Sequence, residues 1–385
     1  MFDGVRFMGI DYKIWLVTFQ VMGYAASKFF GIKIISELKA SSRSAGILLM
    51  VVVAGLSWLF FAITPRPFNL IFLFTNGFPL GLVWGMVFGF LEGRRDTDAL
   101  GAGMAISFIF SAGLCKSAGA WVMRDWHVSE TWMPFTTALL FTGPLLLFLW
   151  LLDQAPPPTV LDEQLRTRRQ PMNKKERVEF LKTFAVGLFF IIILYAFLTA
   201  FRDFRDNFAA EIWQSLGMGN SPEIFTMTEI PVSIACLVLI GSLVLIRDNF
   251  KALVAIHVLI FLGMILITTA TYAFGRGWLA APYWMTLVGF GLYLGYIPFN
   301  SSFFDRMLGT FRISGTVGFV MYLADSIGYL ASIGVLFYKQ FAQPHLSWLE
   351  FFTSGAYVLS GAGMLMVLAS LIYFTRKNRF SISGQ

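Results

Sequence analysis

The stretch "ISFIFSAGLCKSAGAWVM" carries a single charge, Lys116, in a run that otherwise suits hydrocarbon. It lies 18 residues after Asp98 and eight before Arg124. At 1.5 Å per residue its backbone sits about 12 Å from the outer end of a helix, further than a lysine stem comfortably reaches toward water. Asp325 is more central still, 13 residues after Arg312 and 14 before Lys339. A charge at such depth costs roughly 2.5 to 3.5 kcal/mol on insertion scales, so it is expected to have a partner or a task. Lys28 and Arg202 are further candidate cations, and Glu229 and Asp206 further candidate acids. For Lys28, five residues before Lys33, two readings stand: a lysine snorkelling at the end of its span, or a cation facing a polar site. Arg202, in "FLTAFRDFRDNF", is either a solvated helix end paired with Asp203 and Asp206 or part of that site. Glu229 lies near the outer end of its span, just before Pro231, and His257 reads as a packing histidine rather than a proton carrier.

Buried cations of this kind suit one chemistry, the reversible binding of an anion. Arginine offers a planar fork to two oxygens, while lysine acts as a mobile point charge. Asp325 and Glu229 would then neutralise the cations when no anion is bound; Asp325 alternatively carries a proton, because a carboxylate in low dielectric is harder to ionise. No catalytic centre or metal site is expected. His127, His257 and His345 are scattered, no His/Cys/carboxylate cluster has ligand spacing, and no Gly-rich phosphate loop follows a strand, so neither an enzyme nor a cofactor is implied.

The elements that must position these groups are apolar helices. Of 385 residues, 57% are hydrophobic and 13% charged, against about 25% charged in an average soluble domain. Apolar runs of membrane-crossing length are expected at 14–35, 44–63, 68–91, 99–123, 131–152, 183–201, 225–246, 252–273, 279–301, 314–338 and 351–374. The fold class is therefore an all-α membrane protein, since the ten-residue alternation of a membrane β-barrel is missing. The formal charge of +7 belongs to loops facing one side rather than to nucleic-acid binding. Cys115 and Cys236 sit in different spans and imply no disulfide, and "MFDGVRFMGIDYK" lacks the basic start of a signal peptide. Gly81, Gly85, Gly89, Gly101, Gly103, Gly289, Gly291 and Gly295 let helices approach closely. Trp121, Trp126, Trp132, Trp278 and Trp284 read as interface anchors.

The loops around 36–43, 92–98, 153–182, 247–251 and 305–312, with the tail "RKNR", carry about 19 Lys and Arg, against about eight on the other face. The positive-inside rule puts that face, and the C-terminus, in the cytoplasm. Eleven spans then leave Met1 outside, and a helix upstream of it is the expected remedy. The loop "DQAPPPTVLDEQLRTRRQPMNKKERVEF" divides the chain into an N-terminal helical half, 1–152, a basic central loop, 153–180, and a C-terminal six-helix half, 181–385. Its end, "NKKERVEFLKTF", is expected to lie along the membrane surface, its cations toward anionic lipid. Across it, "GLVWGMVFGFLEGRR" from Gly81 and "GLYLGYIPFNSSFFDR" from Gly291 match, and small-residue starts follow, "ALGAG" and "ISGTVG". These read as one duplicated unit.

Two six-helix halves, a basic central loop and parallel repeats resemble the major facilitator superfamily, whose substrate site lies near the midplane. Its usual Gly-x-x-x-Asp-Arg-x-Gly-Arg-Arg loop signature is eroded here to "GIKIISELKASSR", with Gly31, Glu37 and Arg43 as remnants. Within that superfamily, "YAASKFFGIKIISELKASSR" resembles the second helix of the organophosphate:phosphate antiporters, with an uncharacterised bacterial family close to that branch as the alternative. The resemblance implies that Lys28 faces substrate, that Lys116 in "CKSAG" stands where the branch has a histidine, and that Arg202 with Asp206 corresponds to its phosphate-binding arginine and following acid. By the superfamily's arrangement Lys28 would approach Asp325, and Lys116 would approach Glu229. The implied function is a secondary transporter of a small organic anion, organophosphates included, acting as a monomer among membrane lipids in a bacterial inner membrane. A non-transporting sensor or scaffold that kept the fold is the alternative, favoured by the eroded loop.

Overall fold

The hydropathy pattern demands helices, because only helices and closed barrels satisfy their own backbone hydrogen bonds in lipid. The computed structural model describes residues 2, 4–37, 42–91, 97–156, 159, 174–313 and 317–383. Within them every expected span coincides with a helix: α1 (Tyr12–Glu37), α2 (Arg43–Ile63), α3 (Leu70–Leu91), α4 (Thr97–Asp125), α5 (Met133–Asp153), α6 (Lys174–Asn207), α8 (Ile224–Ser242), α9 (Asn249–Gly275), α10 (Ala281–Ser301), α12 (Val317–Phe337) and α13 (Trp348–Ser383). Two short helices, α7 (Ala209–Ser215) and α11 (Phe303–Thr310), lie between them. Among the described residues, nine helices are long and apolar enough to cross a bilayer on length and composition alone. α1 and α10 fall outside that set. α10 is enclosed by protein over most of its length, so its tyrosines and glycines answer to neighbouring helices rather than to lipid.

Two compact units emerge. The first comprises Met1–Arg95, Leu114–Arg166 and Ile333–Pro344; the second comprises Asp96–Gly113, Thr167–Ser332 and His345–Gln385.

In the first unit α3 packs on α1 and α2, and α5 on α2. The α1–α3 approach is closed by glycines: a Cβ on Gly23 would lie 2.8 Å from the Phe78 nitrogen, and one on Gly81 2.9 Å from Ser27 Cβ. Buried Asn76 is satisfied on both sides, accepting from Gln20 Nε2 at 2.9 Å and donating to the Ala54 carbonyl at 3.0 Å. The polar lead-in to α1 forms a feature that hydropathy does not announce. Two strands, β1 (Arg6–Phe7) and β2 (Ile10–Asp11), pair antiparallel around Met8 and Gly9, both at positive φ. Positive φ at both loop positions matches the right-handed twist of a two-residue hairpin. Phe2 and Tyr12 then pack with Phe61, Leu70 and Leu73.

In the second unit α10 packs on α8 and α9, and α13 on α9. This repeats the first unit's pattern in chain order, with α8, α9, α10 and α13 in the places of α1, α2, α3 and α5. The matched Gly-Leu segments fall on α3 and α10, each of which packs on the two long helices just before it in the chain. On α10 a Cβ at Gly291 would meet the Gly263 carbonyl oxygen of α9 at 2.7 Å. α6 packs on α10 and α13. The segment from Lys174 onward, expected to lie along the surface, is instead the opening of α6 itself. At 34 residues that helix is about 51 Å long, well over the ~30 Å core.

Candidate functional site

The second unit holds a connected group of buried charges and phenols, and α6 supplies its spine. Arg202, Asp203, Arg205 and Asp206 follow one another at helical spacing, so two arginines three residues apart share a face. The helix runs on to Asn207, whose side chain donates to the Asp203 carbonyl at 2.8 Å. Arg202 is therefore one turn inside the helix and 4% exposed. The solvated-end reading of this residue gives way to a buried one.

Arg202 spends Nε and Nη2 on one oxygen of Asp203, at 3.2 and 2.5 Å. Its guanidinium lies 4.0 Å from the ring centre of Tyr296 on α10 and 5.5 Å from that of Phe108 on α4. Flat, weakly hydrated guanidinium stacks readily on such rings. Arg205, 2% exposed, bonds Glu229 Oε1 on α8 at 2.7 Å, lies 3.6 Å from Asp206, and donates to the Met285 carbonyl at 3.2 Å. Among the described residues, its Nε and the second oxygen of Glu229 are buried without a hydrogen-bond partner. Tyr293 donates to Asp206 at 3.3 Å.

Asp325 on α12 accepts a hydrogen bond from the Tyr195 phenol, which in turn accepts from Asn300 Nδ2 at 3.2 Å. Tyr195 stacks on Tyr296 with ring centres 5.3 Å apart. Asp325, Tyr195, Tyr296 and Arg202 thus form one contiguous set across α12, α6 and α10. Glycines make the room: a Cβ on Gly289 would lie 2.6 Å from Arg205 Nη2, one on Gly113 3.0 Å from Glu229 Cγ, and one on Gly328 2.9 Å from Thr199 Oγ1.

Arg202, Asp206, Glu229 and Asp325 therefore belong to one cluster, with Glu229 held by Arg205 and Asp325 by Tyr195. Lys28 and Lys116 fall in the first unit. Lys28 is buried on α1, enclosed by protein rather than extended to the surface, and Lys116 is half-buried on α4. Of the loop-signature remnants, Gly31 is buried within α1; Arg43 opens α2, donates to the Gly89 carbonyl and lies 5.9 Å from the Phe90 ring centre. The Glu37 side chain, residues 38–41 and most of the central loop lie outside the described residues. His257 is a packing residue as expected, with Nδ1 at 2.8 Å from the Leu253 carbonyl and Nε2 at 3.0 Å from Ser370 Oγ.

Sequence reasoning passed over Arg205 as a principal, and over Tyr195, Phe108, Tyr293, Tyr296 and Asn300. A signal existed for most of them. Tyr195 precedes Arg202 by seven residues, two helical turns, and Tyr293, Tyr296 and Asn300 make a polar stripe at i, i+3 and i+7 on α10. Phe108 had none, since one phenylalanine among 42 is not distinguishable by type.

The fold is similar to that of solved transporters of the major facilitator superfamily. The fold is similar to the D-xylose-proton symporter (TM-score 0.60, 17% identity, 94% of this chain and 87% of that one). It is similar also to a mutant form of the nucleoside transporter NupG (0.58, 14%, 97% and 92%). A third likeness is to the human organic anion transporter MFSD10, or TETRAN (0.56, 16%, 93% and 83%). By sequence the chain belongs to the family of unknown function DUF5690, whose model matches residues 1–377. No curated protein matches it.

Proposed function

We propose that this protein is a secondary active transporter that carries a small organic anion across the membrane by alternating access. The observation that carries the reading is Arg202, a buried guanidinium on α6 whose Nε and Nη2 are both spent on a single oxygen of Asp203. Its Nη1 is proposed to take a ligand oxygen, and Asp203 serves as resident counter-ion. A charge-assisted bond to a carboxylate or phosphate gains strength in such low-dielectric surroundings. An arriving anion would compete with Asp203 for the guanidinium, so binding rearranges an existing pair rather than filling an empty one. Lys28 and Lys116 are proposed as further substrate cations on the sequence grounds given above, each to be tested by its own substitution. The likeness of "YAASKFFGIKIISELKASSR" to the organophosphate:phosphate antiporters supports phosphorylated metabolites and exchange as the first substrates and mode to try. Glu229 and Asp325 are proposed as the acids whose bonds change during the cycle. A multi-pass place in a bacterial inner membrane is proposed with it, and the loop charges support a cytoplasmic C-terminus.

The test is counterflow in proteoliposomes loaded with phosphorylated sugars, inorganic phosphate, carboxylates or neutral sugars. The expected result is uptake of an anionic solute that falls at least tenfold in Arg202→Lys, about the 1.4 kcal/mol of one charged hydrogen bond. Uptake of neutral sugars alone would overturn the anion reading. Ligand stabilisation with no flux would favour a sensor.

A further inference from the structure

Among the described residues, two rings lie against the Arg202 guanidinium. Tyr296 is fixed: it stacks on Tyr195, and Tyr195 is bonded to Asp325 and Asn300. Phe108 on α4 is the more distant ring, 5.5 Å against 4.0 Å, and its side chain is 39% exposed. Five residues on, Gly113 seats the same helix against α8, where a Cβ would come within 3.0 Å of Glu229 Cγ and of the Phe225 carbonyl oxygen. α4 therefore meets the charge cluster at two points about 7.5 Å apart along its axis, one on each arginine's side: Phe108 on Arg202, and Gly113 on the acid that holds Arg205. Helices transmit a displacement along their length because their backbone bonds are internal, and Lys116 lies just over two turns beyond Phe108 on the same helix.

We propose that Phe108 is a positioning residue through which α4 senses the anion at Arg202, shifting when the guanidinium turns from Asp203 to its ligand, with Gly113 against Glu229 as the pivot. This rests on the transport reading above. It assigns Phe108 a part in coupling binding to movement and none in affinity for the anion.

Cys115 provides the readout. It is exposed on α4, two residues past Gly113, whereas Cys236 is buried. The purified full-length protein would be labelled with N-ethylmaleimide in the presence of inorganic phosphate, citrate or, as control, chloride, and its thermal unfolding followed in parallel. In the wild type, phosphate or citrate should raise the unfolding temperature and change the Cys115 labelling rate about fivefold, the low end of measured couplings between sites. Phe108→Ala should keep the stabilisation and lose the labelling response; Phe108→Tyr should restore it, and Phe108→Leu serves if the alanine variant fails to fold. In flux, Phe108→Ala should lower the maximal rate with little change in half-saturation. A Phe108→Ala or Phe108→Leu protein whose labelling responds as the wild type does would overturn this inference and leave the transport reading standing. Absence of stabilisation and of labelling change in the wild type with both anions would overturn the inference together with the anion reading.

Discussion

At the scale of the residue, the second unit's cluster shows why buried charge is a weak source of stability and a strong source of constraint. Arg205 and Glu229 are both enclosed and bonded at 2.7 Å. Removing one partner leaves the other charged in a medium that cannot solvate it, which typically costs 3–5 kcal/mol. Glu229→Ala is therefore expected to lower the unfolding midpoint in detergent by that order, read by thermal denaturation, while the pair Arg205→Met with Glu229→Leu should recover most of the loss. A single variant as costly as the double one would mean that the pair is not a unit. The Tyr195 phenol works differently, since it bonds Asp325 and supports the ring beneath Arg202. Tyr195→Phe should disturb anion half-saturation in flux while costing about 1 kcal/mol of stability, the usual worth of one hydrogen bond.

At the scale of the element, close packing rests on particular glycines and not on glycine content. A Cβ at Gly291 would meet the Gly263 carbonyl at 2.7 Å, whereas one at Gly361 on α13 would meet nothing within 4 Å. The two substitutions by alanine should therefore differ in sign. Gly291→Ala forces α10 away from α9 and should destabilise by about 1–3 kcal/mol; Gly361→Ala should be neutral or gain up to about 1 kcal/mol from restricted backbone freedom. Midpoints of thermal unfolding in one detergent would show it, and equal effects would refute the contact. Gly291 and Gly361 are indistinguishable by residue type, so this contrast was not legible in the sequence. The places and order of the membrane-length helices were, because 20-odd consecutive apolar residues admit few other structures in lipid. The hairpin before α1 escaped for the opposite reason: two-residue strands carry too few positions for a period to register.

At the scale of the whole molecule, the same helix contacts recur in each unit in chain order, α3 on α1 and α2, then α10 on α8 and α9. That recurrence agrees with the matched segments from Gly81 and Gly291, whose glycines sit at close approaches to Ser27 and Gly263 respectively. The orientation inferred from loop charge is testable at this scale. A fluorescent protein fused after Gln385 should mature and a periplasm-dependent phosphatase fused there should stay inactive. The reverse pair of results would invert the topology.

What the sequence determined unaided was the class of molecule and the rarity of its buried charges, because both follow from local composition: hydropathy selects spans, and an ion inside a span announces its own cost. What only the tertiary structure decided was pairing. That Arg202 answers to Tyr296 and Phe108, Arg205 to Glu229, and Asp325 to Tyr195 depends on which helix faces meet. Faces meet through long-range packing that residue types along one helix do not encode.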